Sequence, residues 1–238
     1  MGSIGYTTLS RQSGLLNEMQ AVANNIANSA TTGYRSEGLI FSEYVKSAPG
    51  QESLSMGRAN IRNTSLEQGT MSQTNGSFDL AIEGDGFFMV ETPAGNRLTR
   101  AGNFTPNAEG DLVTADGYRV LDAGQAPMFV PGDAERISFG ADGTLSADGQ
   151  QLGQIGLFVP DEEAQILRED GVMFRVEGET LPAEGAQVLQ GFLEGSNVNT
   201  IHQLARMIEV QRAYEMGQSF LDNEDKRIRA AIDNLMKS

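Results

Sequence analysis

Residues 199–235 read NTIHQLARMIEVQRAYEMGQSFLDNEDKRIRAAIDNL, and their spacing decides the fold. Met207, Tyr214, Leu221, Ile228 and Leu235 recur every seven residues, with Val210, Gly217, Glu224 and Ala231 at the paired position. Ile201, Leu204 and Ile208 open the run on an adjacent stripe. The run contains no Pro, and Ser196, Asn197 and Asn199 are candidate N-caps, so one long helix is predicted from Asn199 to about Leu235. A seven-residue repeat favours left-handed packing against another helix. An amphipathic helix also draws most of its stability from such packing, so this one needs a partner. Glu224 and Gly217 on the seam argue for a mixed, shared interface over a uniform two-stranded coiled coil.

The expected partner lies at the other end of the chain. Leu9, Leu16 and Ala23 share one position of a seven-residue pattern, and Gln12, Met19 and Ile26 share the intervening one. Leu15 and Val22 widen the stripe. The pattern predicts a helix from about Gly5 to Asn28, stopped by the Ser-Ala-Thr-Thr-Gly run that ends at Gly33. On periodicity alone, core packing within a globular domain is the stronger reading of both stripes; neighbouring subunits are the other.

Between the helices the period falls to two. Phe78, Leu80 and Ile82 alternate with Ser77, Asp79 and Ala81, and Gly84-Asp85-Gly86 then leads into Phe87-Phe88-Met89-Val90. Pro93-Ala94-Gly95-Asn96 reads as a hairpin turn into Arg97-Leu98-Thr99-Arg100, and Asp-Gly pairs at 116, 142, 148 and 170 mark further turns. Each Asp-Gly pair is expected as a type I′ turn. Gly110-Asp111-Leu112 and Gly143-Thr144-Leu145 open two weakly similar hairpins. Residues 34–76 are polar, lack a sustained period, and are expected as an extended link packing outside the β domain. The fold class is therefore α+β: terminal helices form a coiled-coil-like assembly domain around a central antiparallel β domain. Its parts are an N-terminal helix in 1–33, a link in 34–76, the β domain in 77–195 and a C-terminal helix in 196–238.

Charge divides the chain in the same places. The formal charge of the 238 residues is −15. Residues 1–76 hold five basic and five acidic side chains, and 196–238 hold six of each. The six basic and 21 acidic residues of 77–195 therefore account for the whole excess. An acidic surface favours solubility and repels its own copies, whereas neutral ends carry no such barrier to packing together.

The composition disfavours most chemistry. Cysteine is absent, which removes disulfides, thiol catalysis and zinc–thiolate sites. The single His202 leaves no multi-histidine metal site, and near a helix N-terminus its charged form is disfavoured. Excess negative charge argues against nucleic-acid binding. No apolar run approaches ~18 residues, so no transmembrane helix is expected. The opening MGSIGYTTLS lacks the basic start and apolar core of a secretory signal, so none is expected. Asp161-Glu162-Glu163, with Glu169 and Asp170 nearby, could supply a glycosidase-like carboxylate pair, but a solvated loop is the simpler reading. The Asp-Gly pairs lack the spacing of a calcium loop, and Gly84-x-Gly86 lacks the third glycine of a dinucleotide loop. No catalytic residue, cofactor or metal is expected. The remaining alternatives are an extracellular β-domain enzyme and a soluble binding module dimerised by its helices.

Three blocks carry a family resemblance. Ala23-Asn24-Asn25-Ile26-Ala27-Asn28 through Thr32-Gly33-Tyr34 closely resembles the N-terminal signature of bacterial flagellar rod and hook proteins. Gly84-Asp85-Gly86-Phe87-Phe88, Leu98-Thr99-Arg100-Ala101-Gly102-Asn103-Phe104 and Gly110-Asp111-Leu112-Val113 are similar to the β-domain core of that family. Leu193-Glu194-Gly195-Ser196-Asn197-Val198-Asn199, continuing from Met207 to Glu215, resembles its closing signature. Length leaves the two mid-length rod members. Leu193-Glu194-Gly195-Ser196, Arg168 to Arg175 and Leu221-Asp222-Asn223-Glu224 favour the proximal one, while Gln211-Arg212-Ala213-Tyr214 suits the distal one equally.

The resemblance implies a structural subunit, exported through the flagellar type III apparatus without a cleaved signal, whose termini order as helices on assembly with other rod subunits. It places the acidic β domain at larger radius and implies no membrane insertion. It implies an assembly interface that includes Leu16, Met19, Asn24, Asn25, Ile26, Asn28, Gly33 and Tyr34. The C-terminal part of that interface comprises Asn197, Asn199, Ile201, Leu204, Ile208, Arg212, Tyr214 and Leu221.

Overall fold

The computed structural model describes residues 2–46 and 54–237 and divides into two compact units. The first comprises residues 1–29, 36–65 and 198–238; the second comprises 30–35 and 66–197. The class is α+β, with a helix at each end of the chain and mostly antiparallel sheet between them.

The first unit holds α1 (Gly2–Ala27), the hairpin of β1 (Glu37–Lys46) and β2 (Leu54–Thr64), and α2 (Thr200–Lys237). Here the structure differs from the extended link expected over 34–76. Backbone pairing runs from Glu37↔Thr64 to Lys46↔Leu54, and the Ser65 amide donates to the Ser36 carbonyl at the base. A bulge between Ile40 and Phe41 shifts the register, which resets the alternation that would have marked a strand. The hairpin packs on α1; residues 47–53 of the expected link lie outside the described residues.

The two helices run antiparallel. The Gln12 side chain donates to the Tyr214 carbonyl at 3.0 Å, while Arg206 clasps Glu18 at 2.5–2.6 Å. Along α2 from Gln203, the covered residues are Gln203, Met207, Val210, Tyr214, Gly217, Leu221 and Glu224, with Ala213 beside them. That alternation of four and three is the seven-residue seam. α1 packs on both α2 and the hairpin and buries Gln12, Leu15, Glu18, Val22 and Asn25, so its repeat is only partly covered: Gln12 and the flanking Leu15 and Val22 are buried, while Leu9, Leu16 and Ala23 stay exposed. At Gly217 an added Cβ would meet the end of the Gln12 side chain, which would have to turn aside and give up its bond to Tyr214.

The second unit is built on β3 (Met71–Gln73), β4 (Leu80–Glu83), β5 (Phe87–Thr92) and β6 (Gly95–Thr99), with a series of short strands after them. All of its pairings are antiparallel. The run Phe87-Phe88-Met89-Val90 is apolar throughout because β5 is covered on both faces. Phe88 and Val90 join the larger core with Leu80, Ile82, Leu112, Val120, Leu145 and Ile155. Phe87 and Met89 point the other way, to Leu98, Leu121, Phe158 and Phe174. The last strands close on the first: Gln187–Gln190 pairs with β4, and Phe192–Glu194 pairs with β3.

One turn assignment is corrected. A type I′ turn needs positive φ at both central residues, and among the four Asp-Gly pairs only Asp148-Gly149 has it, at φ 50° and 83°. At the other three only the glycine is left-handed. At Asp142 the carboxylate instead accepts from the Thr144 hydroxyl and amide, and those bonds hold it below the usual carboxylate range.

Candidate assembly interface

The Asn-Asn-Ile-Ala-Asn block ends α1, and its side chains divide between the inside and outside of the first unit. Asn25 is fully buried. Its amide donates to the Glu37 carbonyl at 2.7 Å and its carbonyl accepts from the Glu37 amide at 2.9 Å, a two-bond clamp on the start of β1. Asn28 donates through both its backbone and side chain to the Asn24 carbonyl, and the Ser29 hydroxyl satisfies that of Ile26. Asn24 is exposed and Ile26 half-buried.

Gly33, Tyr34 and Arg35 belong to the second unit, where they meet its closing strand. Gly33 sits at φ 69°, donates to the Glu194 carbonyl at 2.7 Å, and has no room for a Cβ beside the Arg100–Ala101 backbone. Tyr34 is buried under the Arg168 guanidinium, which lies 4.4 Å from its ring and 4.8 Å from that of Phe174. The Tyr34 carbonyl accepts from the Asn197 amide, and the Asn197 side chain donates to the Glu67 carbonyl at 2.8 Å.

A charge knot lies beside them. The Glu194 carboxylate is 1% exposed and accepts from Arg35 at 2.9 Å, Arg100 at 3.0 Å and the Gly69 amide at 2.9 Å. Arg100 also donates to the carbonyls of Ile82 and Gly84, and Arg35 to that of Glu67. Two guanidiniums share one carboxylate, and Nε of both, with Nη2 of Arg35, have no hydrogen-bond partner. Burial lowers the Arg35 pKa to about 10, with Glu194 opposing the shift, and lowers Arg100 in the same way. Neither the knot nor its role in closing the unit was read from the sequence. Glu194 stands in the apolar run Phe192-Leu193, but its partners lie about 95 and 160 residues away, and nothing local announces them.

The helix stripes face outward. On α1, Leu16 is 46% exposed, with Leu9 and Ala23 exposed beside it and Met19 half-buried. On α2, Asn199 is the cap, accepting from the His202 amide at 3.0 Å. Ile201 (82% exposed), Leu204 and Ile208 (51%) follow on the face turned away from the α1 seam, and Arg212 is exposed near them. Tyr214 and Leu221 are half-buried in the seam itself. The expected interface residues thus fall into three groups: exposed apolar stripes, seam residues, and a set buried inside its own unit that comprises Asn25, Gly33 and Tyr34.

The second unit offers little for catalysis among the described residues. Asp161, Glu162 and Glu163 stand in an exposed or half-exposed loop. Glu169 lines a cleft of about 250 Å³ with Tyr118, Asp170 and Met173, but it is ion-paired to Arg97. The remaining Arg97 donors bind the Ala94 and Asn96 carbonyls, so the cleft presents no free cation. By residue count the first unit carries ten basic and ten acidic side chains, and the second seven and 22.

Comparison with known proteins matches three family models in order along the chain. These are "Flagella basal body rod protein" over residues 6–35, "Flagellar hook protein FlgE/F/G D1 domain" over 81–147 and "Flagellar basal body rod FlgEFG protein C-terminal" over 189–234. The flagellar basal-body rod protein FlgF of Caulobacter vibrioides is 39% identical, over 98% of this chain and 97% of its own. FlgF of Mesorhizobium japonicum is 37% identical over 88% of each chain. FlgG of Bacillus subtilis is 29% identical over 96% of this chain and 97% of its own.

Proposed function

Because this chain belongs to the flagellar basal-body rod protein family, we propose a mode of assembly for it as a rod subunit. Within the family it is FlgF-like, and it serves as a structural part of the flagellar basal body, not as an enzyme. FlgG relatives match at lower identity, so the distal-rod alternative is the weaker one.

In the proposed mode the neutral first unit makes the contacts with other rod subunits. The acidic second unit, corresponding to the 77–195 domain of the sequence, stays at larger radius. The observation that carries this reading is the pair of outward apolar stripes, Leu9-Leu16 on α1 and Ile201-Leu204-Ile208 on α2, on the unit that has no net charge. Apolar side chains ringed by balanced charge suit packing against further helices, in coiled-coil-like fashion. Leu16, Met19, Asn24, Ile26, Asn28, Asn199, Ile201, Leu204, Ile208 and Arg212 supply contact surface. Asn25, Gly33, Tyr34, Asn197, Tyr214 and Leu221 hold the shape that presents it. The chain reaches the rod through the flagellar type III export apparatus. It neither inserts in the membrane nor binds nucleic acid; no described helix is long and apolar enough to cross a bilayer.

Ile208→Asp tests the mode. The residue faces away from the chain's own seam, so the purified variant should melt as the parent does, while swimming in soft agar should fall to the level of a deletion strain. Normal swimming would mean that the α2 stripe is not a contact.

A further inference from the structure

We propose that Arg168 is a positioning residue for assembly: from a hairpin outside the shared blocks of the family it pins the Gly33-Tyr34 signature, and with it the points where the chain leaves the second unit. The proposal rests on the rod-subunit reading and adds to it a residue that lies on neither helix.

The chain passes between the two units at 29–30, 35–36, 65–66 and 197–198. Three of these points are bonded to one another inside the second unit. The Asn197 amide donates to the Tyr34 carbonyl at 3.2 Å, and the Asn197 side chain donates to the Glu67 carbonyl at 2.8 Å. Arg35 donates to the same Glu67 carbonyl. From these points the chain runs into β1 at Glu37, β2 at Thr64 and α2 at Thr200, all in the first unit. A displacement of Tyr34 is therefore passed to the bonded neighbours at all three.

What holds Tyr34 comes from far along the chain. Strands Gln165–Asp170 and Met173–Glu177 form a hairpin. Ile166 and Val176 anchor one face of it on the core of Phe87, Leu98 and Phe174. On that face Arg168 stands opposite Phe174 in register, and its guanidinium lies over the rings of both Phe174 and Tyr34. One Nη donates to the Gly171 carbonyl in the hairpin turn and the other to the Arg35 carbonyl. A planar guanidinium stacks and donates in two directions at once, which an ammonium does not.

The signature and its pin have different standing in the family. The matched models cover 6–35, 81–147 and 189–234, and two of them are named for FlgE, FlgF and FlgG together. Tyr34 falls within the first model; residues 165–177 fall within none. Arg168 also differs from the neighbouring charge knot. The knot is buried and closes the unit, whereas Arg168 is half-buried at its edge. Removing it should free residues 33–35 and leave the core closed.

Arg168→Leu keeps an apolar stem against Tyr34 and removes the cation and both donors. Hydrogen exchange on the purified full chain reads the Gly33 and Asn197 amides, which donate to the Glu194 and Tyr34 carbonyls. In this variant their exchange should quicken by about tenfold while the amides of β5 and β6 keep the parent rate. The amount of the variant in purified hook–basal bodies should fall with it. Arg168→Lys, which keeps a cation over the rings, should lie between Leu and the parent in both measurements. Leu167→Asp, on the exposed face of the same strand, should change neither. A Leu variant that fills particles as the parent does overturns the proposal, as does lost occupancy with Gly33 and Asn197 still protected. So does faster exchange throughout the second unit, which would make Arg168 a part of the core alone. A Lys variant no better than Leu, or an equal loss of occupancy from Leu167→Asp, overturns it too. Absence of the parent chain from the particles would instead overturn the rod-subunit reading itself.

Discussion

Single side chains decide whether the second unit closes. Glu194 lies on the last strand of that unit, and its carboxylate accepts from Arg35, Arg100 and the Gly69 amide. Removing one partner of a buried ion pair leaves uncompensated charge and costs about 3–5 kcal/mol. Glu194→Gln is therefore expected to lower the stability of the second unit by about 3 kcal/mol, measured by urea titration followed through a probe in that unit. A loss below about 1 kcal/mol would mean that the knot is solvated. Gly33 and Tyr34 were legible as a signature but not as buried residues, since the contacts that bury them come from Arg100, Arg168 and Glu194. A sequence motif marks a constrained position without saying what constrains it. Asn25 makes the same point: its clamp on Glu37 is only 12 residues away, yet the hairpin that Glu37 begins could not be read.

At the scale of elements, the long helix was legible because its seam repeats strictly from Gln203 to Glu224. The β5 run and the hairpins around the Asp-Gly pairs were legible through apolar runs and turn residues. Two features were not. The β1–β2 hairpin was hidden by the bulge at Ile40–Phe41, which breaks the period of two. The orientation of α1 was hidden because only part of its stripe is covered, Gln12, Leu15 and Val22 being buried while Leu9, Leu16 and Ala23 are exposed, and periodicity does not say which neighbour receives which residue. Leu221 belongs to the seam with α1, so Leu221→Asp should loosen the helix pair and abolish incorporation into the rod while the second unit keeps its native fold. Circular dichroism in the near ultraviolet, with counts of rod-incorporated chain, separates these effects. Full incorporation of the variant would show that the helix pair is not what the rod recognises.

Across the whole molecule, charge and shape divide together. The first unit has no net charge and bears the outward apolar stripes; the second has the entire −15 and covers its central strand β5 on both faces. A chain built this way can pack copies through one unit while the other keeps it soluble. That division was already present in the charge count by segment. Its structural boundary was not, because residues 30–35 fold with the second unit and 36–65 with the first. Mass spectrometry of purified hook–basal bodies, from the parent strain and from one lacking this chain, tests the rod-subunit account most directly. The account predicts peptides of the chain in the parent particles and no completed hook in the deletion strain. Parent particles that lack the chain, or a deletion strain that builds normal hooks, would contradict it.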